Sequence, residues 1–128
     1  MQGLHLTADL HGCCCAPPWL LDAAALGQAC VEAVRAAGLQ PVGQLFHQFP
    51  ASCHGPGGVT ATVLLAESHL CVHTWPERSA VTLDVYVCNF GADHSAKAHA
   101  LMDALLALFQ PADVQRHALQ RGSPVRTP

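Results

Sequence analysis

Along residues 3 to 11 the chain alternates. Leu4, Leu6, Ala8 and Leu10 fall on one side, and His5, Thr7, Asp9 and His11 on the other. A period of two is the pattern of a half-buried strand. Gly12 to Pro18 breaks it, and the spacing then becomes helical. Leu26, Ala29, Ala33, Val34 and Ala37 make an apolar stripe, with Asp22 placed as N-cap and Gly38 as the stop. A second strand is predicted from Val42 to Phe49. Residues 50–58, PASCHGPGG, carry three Gly and two Pro in nine positions and read as a loop.

Three strand-like stretches follow. Val59 to Glu67 is apolar and β-branched. In Ser68 to Trp75, Leu70, Val72 and Thr74 alternate with His69, Cys71 and His73. In Ala80 to Phe90, Val81, Leu83, Val85 and Val87 alternate with Thr82, Asp84, Tyr86 and Cys88. A second helix is predicted from Ser95 to Phe109, and Pro111 ends it. Val114 to Leu119 gives a weak strand signal, and the tail GSPVRTP is expected to fray. Consecutive strands with short connections pair antiparallel. Two striped helices can cover one sheet face. The expected fold is therefore α+β: a two-layer sandwich, mainly antiparallel sheet with two helices on one face. One domain spans residues 1–128.

Composition narrows the function. Hydrophobic residues make up 51% and charged residues 12%, which suits a packed core and excludes a disordered, highly charged chain. Six Lys and Arg against nine Asp and Glu leave a formal charge of −3, so no basic patch invites nucleic acid or an anionic membrane. No apolar run approaches the roughly 20 residues that span a bilayer. MQGLHLTADLHG lacks the basic start and apolar run of a secretion signal, so a cytoplasmic location is expected.

Seven Cys and nine His raise metal binding and thiol catalysis. An odd Cys count without a secretion signal argues against a disulfide framework. His69 and His73 would share one face of a helix, but four residues along a strand cover about 13 Å, too far for one ion. Cys13, Cys14 and Cys15 are adjacent rather than spaced for coordination. No metal is expected. Cys71 and His73 share a strand face, with Cys88 on the same face of the next strand. No nucleophile elbow or oxyanion-hole loop accompanies them, which weakens a thiol hydrolase.

Residues 65–77, LAESHLCVHTWPE, stand apart. A Ser follows a Glu at a strand junction; His73 lies five residues beyond it and Cys88 twenty. This stretch strongly resembles the self-processing segment of the short prokaryotic S-adenosylmethionine decarboxylases, which read close to G-V-S-G, then E-S-H-L, then H-T-W-P-E. Glu67-Ser68-His69-Leu70 and His73-Thr74-Trp75-Pro76-Glu77 match without gaps, and Cys88 sits where the family keeps its active-site Cys. The strand from Gly3 to Gly12, the helix ending Ala36-Ala37-Gly38, and Phe46-His47-Gln48-Phe49 are also similar. The resemblance covers most of residues 3 to 120.

The resemblance implies a covalently bound pyruvoyl group made from Ser68. Ser68 Oγ would attack the Glu67 carbonyl, and elimination of the ester would leave residues 1–67 (β chain) and a pyruvoyl-capped 68–128 (α chain). It assigns His73 as the base for the Ser68 Cα proton, with Thr60 as a second, assisting hydroxyl. The pyruvoyl ketone would form a Schiff base with the substrate α-amine and take up electrons as carboxylate leaves. Cys88 would return the proton, a role suited to thiols, which as a class are mostly protonated near neutral pH. Glu77 would bind ribose hydroxyls, and Phe49 would stack on adenine. The product is an aminopropyl donor for spermidine, and the cleaved units are expected to pair as homodimers.

Two departures bear on substrate choice. Thr60 stands where the family motif has Ser, and eleven positions separate Phe49 from Thr60 where the family has about six. Since a pyruvoyl centre needs only an α-amino acid, ornithine or arginine is an alternative substrate. A regulatory subunit that never splits is the alternative outside enzymology.

Overall fold

The computed structural model describes residues 1–122; of the tail expected to fray, 123–128 lie outside the described residues. The elements run β1 (Gln2–His11), α1 (Pro18–Leu21), α2 (Ala23–Ala36), β2 (Pro41–Gln48), β3 (Val59–Leu65), β4 (Ser68–Trp75), a single 3-10 turn (Pro76–Arg78), β5 (Ala80–Cys88), α3 (Ser95–Phe109) and β6 (Asp113–Gly122). The six strands form one sheet in the order β2-β3-β4-β5-β1-β6. Every neighbouring pair is antiparallel. The sandwich expected from the alternation is the one observed.

The differences are local. α1 is an extra turn inside the break after β1, opened by Pro18 at a position where the missing N–H costs nothing. β3 stops at Leu65, not Glu67, because Ala66 and Glu67 make the turn into β4. β5 stops at Cys88, not Phe90, where Asn89 turns its N–H to the Gln2 carbonyl. β6 runs ten residues rather than six, paired with β1 along its length. Its periodicity is faint because almost all of its residues are exposed.

Alternation sorts the sheet into two faces. Leu4, Leu6, Ala8 and Leu10 of β1 are buried with Val59 and Val63 of β3, Leu70 and Val72 of β4, and Val81, Val85 and Val87 of β5. Over this face lie α2, against β2 and β3, and α3, against β5 and β1. Leu26, Val34, Leu101, Met102 and Phe109 close the core from the helix side. Each such side chain contributes about 1.5–3 kcal/mol by leaving water. Asp22 caps α2 by accepting from the Ala24 and Ala25 N–H groups, the capping expected from its position. Gly27 sits mid-helix because the Phe46 ring of β2 occupies the space a Cβ would fill. Among the described residues, the opposite face carries no helix. It is polar and half-buried, with Thr60, Thr62, His69, Cys71, His73, Thr82, Asp84 and Tyr86 across β3, β4 and β5.

Candidate active site

The β3–β4 hairpin places Glu67 and Ser68. Leu65 pairs with Ser68 across a two-residue turn. Closing it forces Glu67 to φ 54°, in the left-handed region that costs a side-chain-bearing residue about 1–2 kcal/mol. Ser68 opens β4, and its Oγ accepts a 3.0 Å hydrogen bond from the Cys88 N–H at the end of β5. The two key positions of the motif thus meet through backbone and hydroxyl. Cys88 itself is buried, 7% exposed.

His73 is elsewhere. It lies five residues along β4 from Ser68, about 17 Å at strand rise. It pairs with Thr82 of β5, six residues from Cys88. Cys88 and His73 share the open face, as the alternation predicts, but at opposite ends of the sheet. His73 Nδ1 is 2.9 Å from Thr60 Oγ1, directly across the β3–β4 ladder. The candidate residues therefore form two clusters: Ser68 with Cys88, and Thr60 with His73.

The second cluster opens onto a cleft of ≈360 Å³. Phe49, Trp75 and Glu77 line it together with Thr60 and His73. Phe49 is 47% exposed, so it belongs to the cleft and not to the core. Trp75, 39% exposed, adds a second aromatic wall that the sequence reading did not single out, although its alternation with His73 places it on this face. Glu77 lies on the turn after β4.

The long segment 50–58 forms a wall of this cleft. Ser52 and Gly55 exchange two backbone hydrogen bonds, 2.9 and 3.0 Å, making a miniature hairpin. Its base is clamped by Gln48, whose side chain donates to the Gly57 and Gly58 carbonyls and accepts from the Ala23 N–H at the start of α2. Gly58 must be glycine, because the Thr74 carbonyl lies where a Cβ would be. Ser52 and His54 both line the cleft. Their involvement was hidden in a stretch whose composition signals only a loop.

Three residues on the open face also meet. Asp84 Oδ2 accepts from His5 Nε2 at 2.9 Å and from His69 Nε2 at 2.8 Å. Among the described residues this is the one group whose donor atoms converge enough for a cation, lying within 4.8 Å of one another. Arg121 donates to His5 Nδ1 at 3.1 Å, which places the ring proton on Nε2, the atom a cation would need. The contacts are those of a hydrogen-bonded trio. Sequence spacing missed it because the three residues come from three strands.

The cysteines are all free. Burial pushes the Cys30 thiol up to about 12. Burial, with the neighbouring Cys15 and Cys14, pushes Cys13 up to about 11. Cys71 is also raised, mainly by burial and further by Asp84, while the Thr62 hydroxyl bond opposes the rise. These are inert thiols rather than nucleophiles. The hydrolase reading of Cys71 and His73 therefore gains nothing from the structure.

Residues 4–122 match the family model described as S-adenosylmethionine decarboxylase. The chain is 36% identical over 121 residues to the S-adenosylmethionine decarboxylase proenzyme of Hydrogenobaculum sp., covering 94% of this chain and 81% of that one. It is 34% identical over 121 residues to the proenzyme of the same description from Archaeoglobus fulgidus, covering 94% and 97%. In three dimensions it is similar to the crystal structure of the adenosylmethionine decarboxylase from Aquifex aeolicus, with a TM-score of 0.83, 31% identity, and coverage of 98% of this chain and 95% of that one.

Proposed function

The chain belongs to the S-adenosylmethionine decarboxylase family, and from that membership we propose that it splits its own backbone between Glu67 and Ser68 and then decarboxylates S-adenosylmethionine. The observation that carries the first step is the turn. Glu67 is held in the left-handed region, and the adjacent Ser68 Oγ is anchored by the Cys88 N–H. Strain at this peptide unit raises the precursor toward the ester that Ser68 would form with the Glu67 carbonyl. Loss of the Ser68 Cα proton then breaks the ester and leaves the pyruvoyl group. Once formed, that group supplies an electron sink for the pair released as carboxylate departs. Cys88 protonates the substrate carbon. The product is the aminopropyl donor for spermidine, and the enzyme works in the cytoplasm.

His73 cannot reach Ser68 of its own chain across about 17 Å. A second copy resolves this. Two chains related by a two-fold axis that sets the Ser68–Cys88 end of one against the Thr60–His73 end of the other bring them together. Each site then draws its nucleophile and proton donor from one chain. Its elimination base, the Thr60 hydroxyl and the cleft come from the other. Phe49 and Trp75 offer the cleft two aromatic faces for a purine and for a sulfonium cation. Glu77 accepts from ribose hydroxyls. These features favour S-adenosylmethionine over ornithine or arginine.

Intact mass under denaturing conditions, after reductive trapping with S-adenosylmethionine, ornithine or arginine in separate tubes, tests the reading. Two chains are expected, the one beginning at position 68 gaining mass with S-adenosylmethionine, and Ser68→Ala is expected to give one chain. A single unsplit wild-type chain would overturn the reading in favour of a regulatory subunit.

A further inference from the structure

Behind Ser68, on the helix-covered side of the sheet, lies a small cavity of ≈170 Å³ bounded by Gly38, Leu39, Gln40, Leu65, Ala66, Ser68 and His94. It is separate from the aromatic cleft. His94 immediately precedes α3. Its backbone is fixed: the His94 N–H donates to Asn89 Oδ1 at 2.8 Å, Asn89 Nδ2 donates to Ser95 Oγ at 3.3 Å, and the Asn89 N–H donates to the Gln2 carbonyl at 2.8 Å. The residue so anchored by Asn89 is therefore tied to the end of β5, one position past Cys88.

Besides the Gln40 amide, two hydrogen-bonding capacities of the residues around this cavity are unspent. His94 Nδ1 is buried with no hydrogen-bond partner, the sole such side-chain atom among the described residues. A buried polar atom left this way costs about 1–3 kcal/mol and calls for a reason. Ser68 Oγ accepts from Cys88, but its own O–H has no protein acceptor among the described residues. His94 and Ser68, each carrying an unspent polar atom, thus line one cavity that has room for a water.

We propose that His94 is the base that activates Ser68 in the first step of chain splitting. The inference rests on the self-processing reading and adds a second histidine to it. In that step the Ser68 Oγ–C bond to the Glu67 carbonyl forms and the Glu67–Ser68 C–N bond breaks. Oγ loses one proton and the released nitrogen gains one. His94 takes the first, directly or through one water, and its protonated ring returns a proton to the nitrogen, so nothing further is consumed. His73 acts on a different proton, that of the Ser68 Cα, in the later elimination.

The division of labour is testable because hydroxylamine cuts an ester quickly and an amide hardly at all. Freshly purified wild type, His94→Ala, His94→Gln and His73→Ala would be followed on denaturing gels with and without hydroxylamine. Their folding would be compared by far-ultraviolet circular dichroism and thermal melting against Ser68→Ala. The expected result is splitting slowed roughly 10²-fold or more in both folded His94 variants. Their chains would remain resistant to hydroxylamine, and added imidazole would partly restore the rate in His94→Ala. His73→Ala would instead accumulate chains that hydroxylamine cuts. Splitting at the wild-type rate in either folded His94 variant would overturn the role of His94, as would hydroxylamine-sensitive chains. Failure of the wild type to split would overturn the self-processing reading itself.

Discussion

Ser68 and His73 stand five residues apart on one strand, yet they face opposite sides of the sheet and occupy opposite ends of it. Ser68 begins β4 beside Cys88 and points with Leu70 toward the helices. His73 points with Trp75 onto the open face, where it meets Thr60. A motif read as one contiguous unit is thus divided by the geometry of the strand that carries it.

The proposed division of the site between two chains is open to a complementation test. Ser68→Ala alone and His73→Ala alone are each expected to remain unsplit. Co-expressed, they form mixed pairs in which one site has an intact Ser68 from one chain and an intact His73 from the other. The His73→Ala chain should then split, visible as two fragments by mass. No fragment from co-purified mixed pairs would place both residues' work within one chain.

Cys88→Ala should retain splitting, because the contact it makes to Ser68 is through its backbone N–H, which alanine keeps. Turnover should fall roughly 10²–10⁴-fold, the scale of a lost proton-transfer group. Fragment mass and carbon dioxide release separate the two effects, and near-normal release would remove Cys88 from the chemistry.

The left-handed Glu67 can be relaxed with glycine. In the unsplit Ser68→Ala background, Glu67→Gly should stabilise the fold by up to about 1 kcal/mol, the strain relieved less the added entropy of the unfolded glycine. With Ser68 intact, the same change should slow splitting. Urea unfolding and a splitting time course measure the two effects. A loss of stability in the first would show that the turn is not strained.

Alkaline pH should weaken the fold through Cys30. Burial holds this thiol up to about 12, against an ordinary value of 9.0. The folded state therefore keeps a proton that the unfolded chain gives up. The stability is fully present below pH 9 and is lost as pH rises toward 12. At pH 10 the loss from this one group is on the order of 1 kcal/mol. Urea midpoints at pH 8 and pH 10 should diverge less in Cys30→Ala than in wild type, and equal divergence would assign the effect to other groups.

The sheet was legible in the sequence because one of its faces is dry. Strict alternation in β1, β4 and β5 announced which residues would be buried, and α3 matched its predicted span to the residue. β6 was nearly silent because both its faces meet water, leaving no period to read. Glu67, Ser68, His73 and Cys88 stood out by local motif, but their separation did not. Strand rise and register decide it, and these emerge only once β4 is paired with β5. Ser52 and His54 reach the cleft through a turn whose residues carry no periodicity. The His5–Asp84–His69 trio and the cavity joining His94 to Ser68 depend on contacts between distant elements, and no spacing rule reports those.

The turn between β3 and β4 lies inside the sheet order, with strands on both sides of the hairpin. A cut there frees two ends but leaves six residue pairs, from Thr60–His73 to Leu65–Ser68, still joined across the ladder. The fragments remain together, yet their bookkeeping changes. Before the cut, β3 finds β4 as part of the same chain, and refolding does not depend on concentration. Afterwards the same ladder is an association between two molecules, whose stability falls on dilution. On the proposed splitting the native shape would survive, but the ability to regain it unaided after denaturation would belong mainly to the unsplit chain.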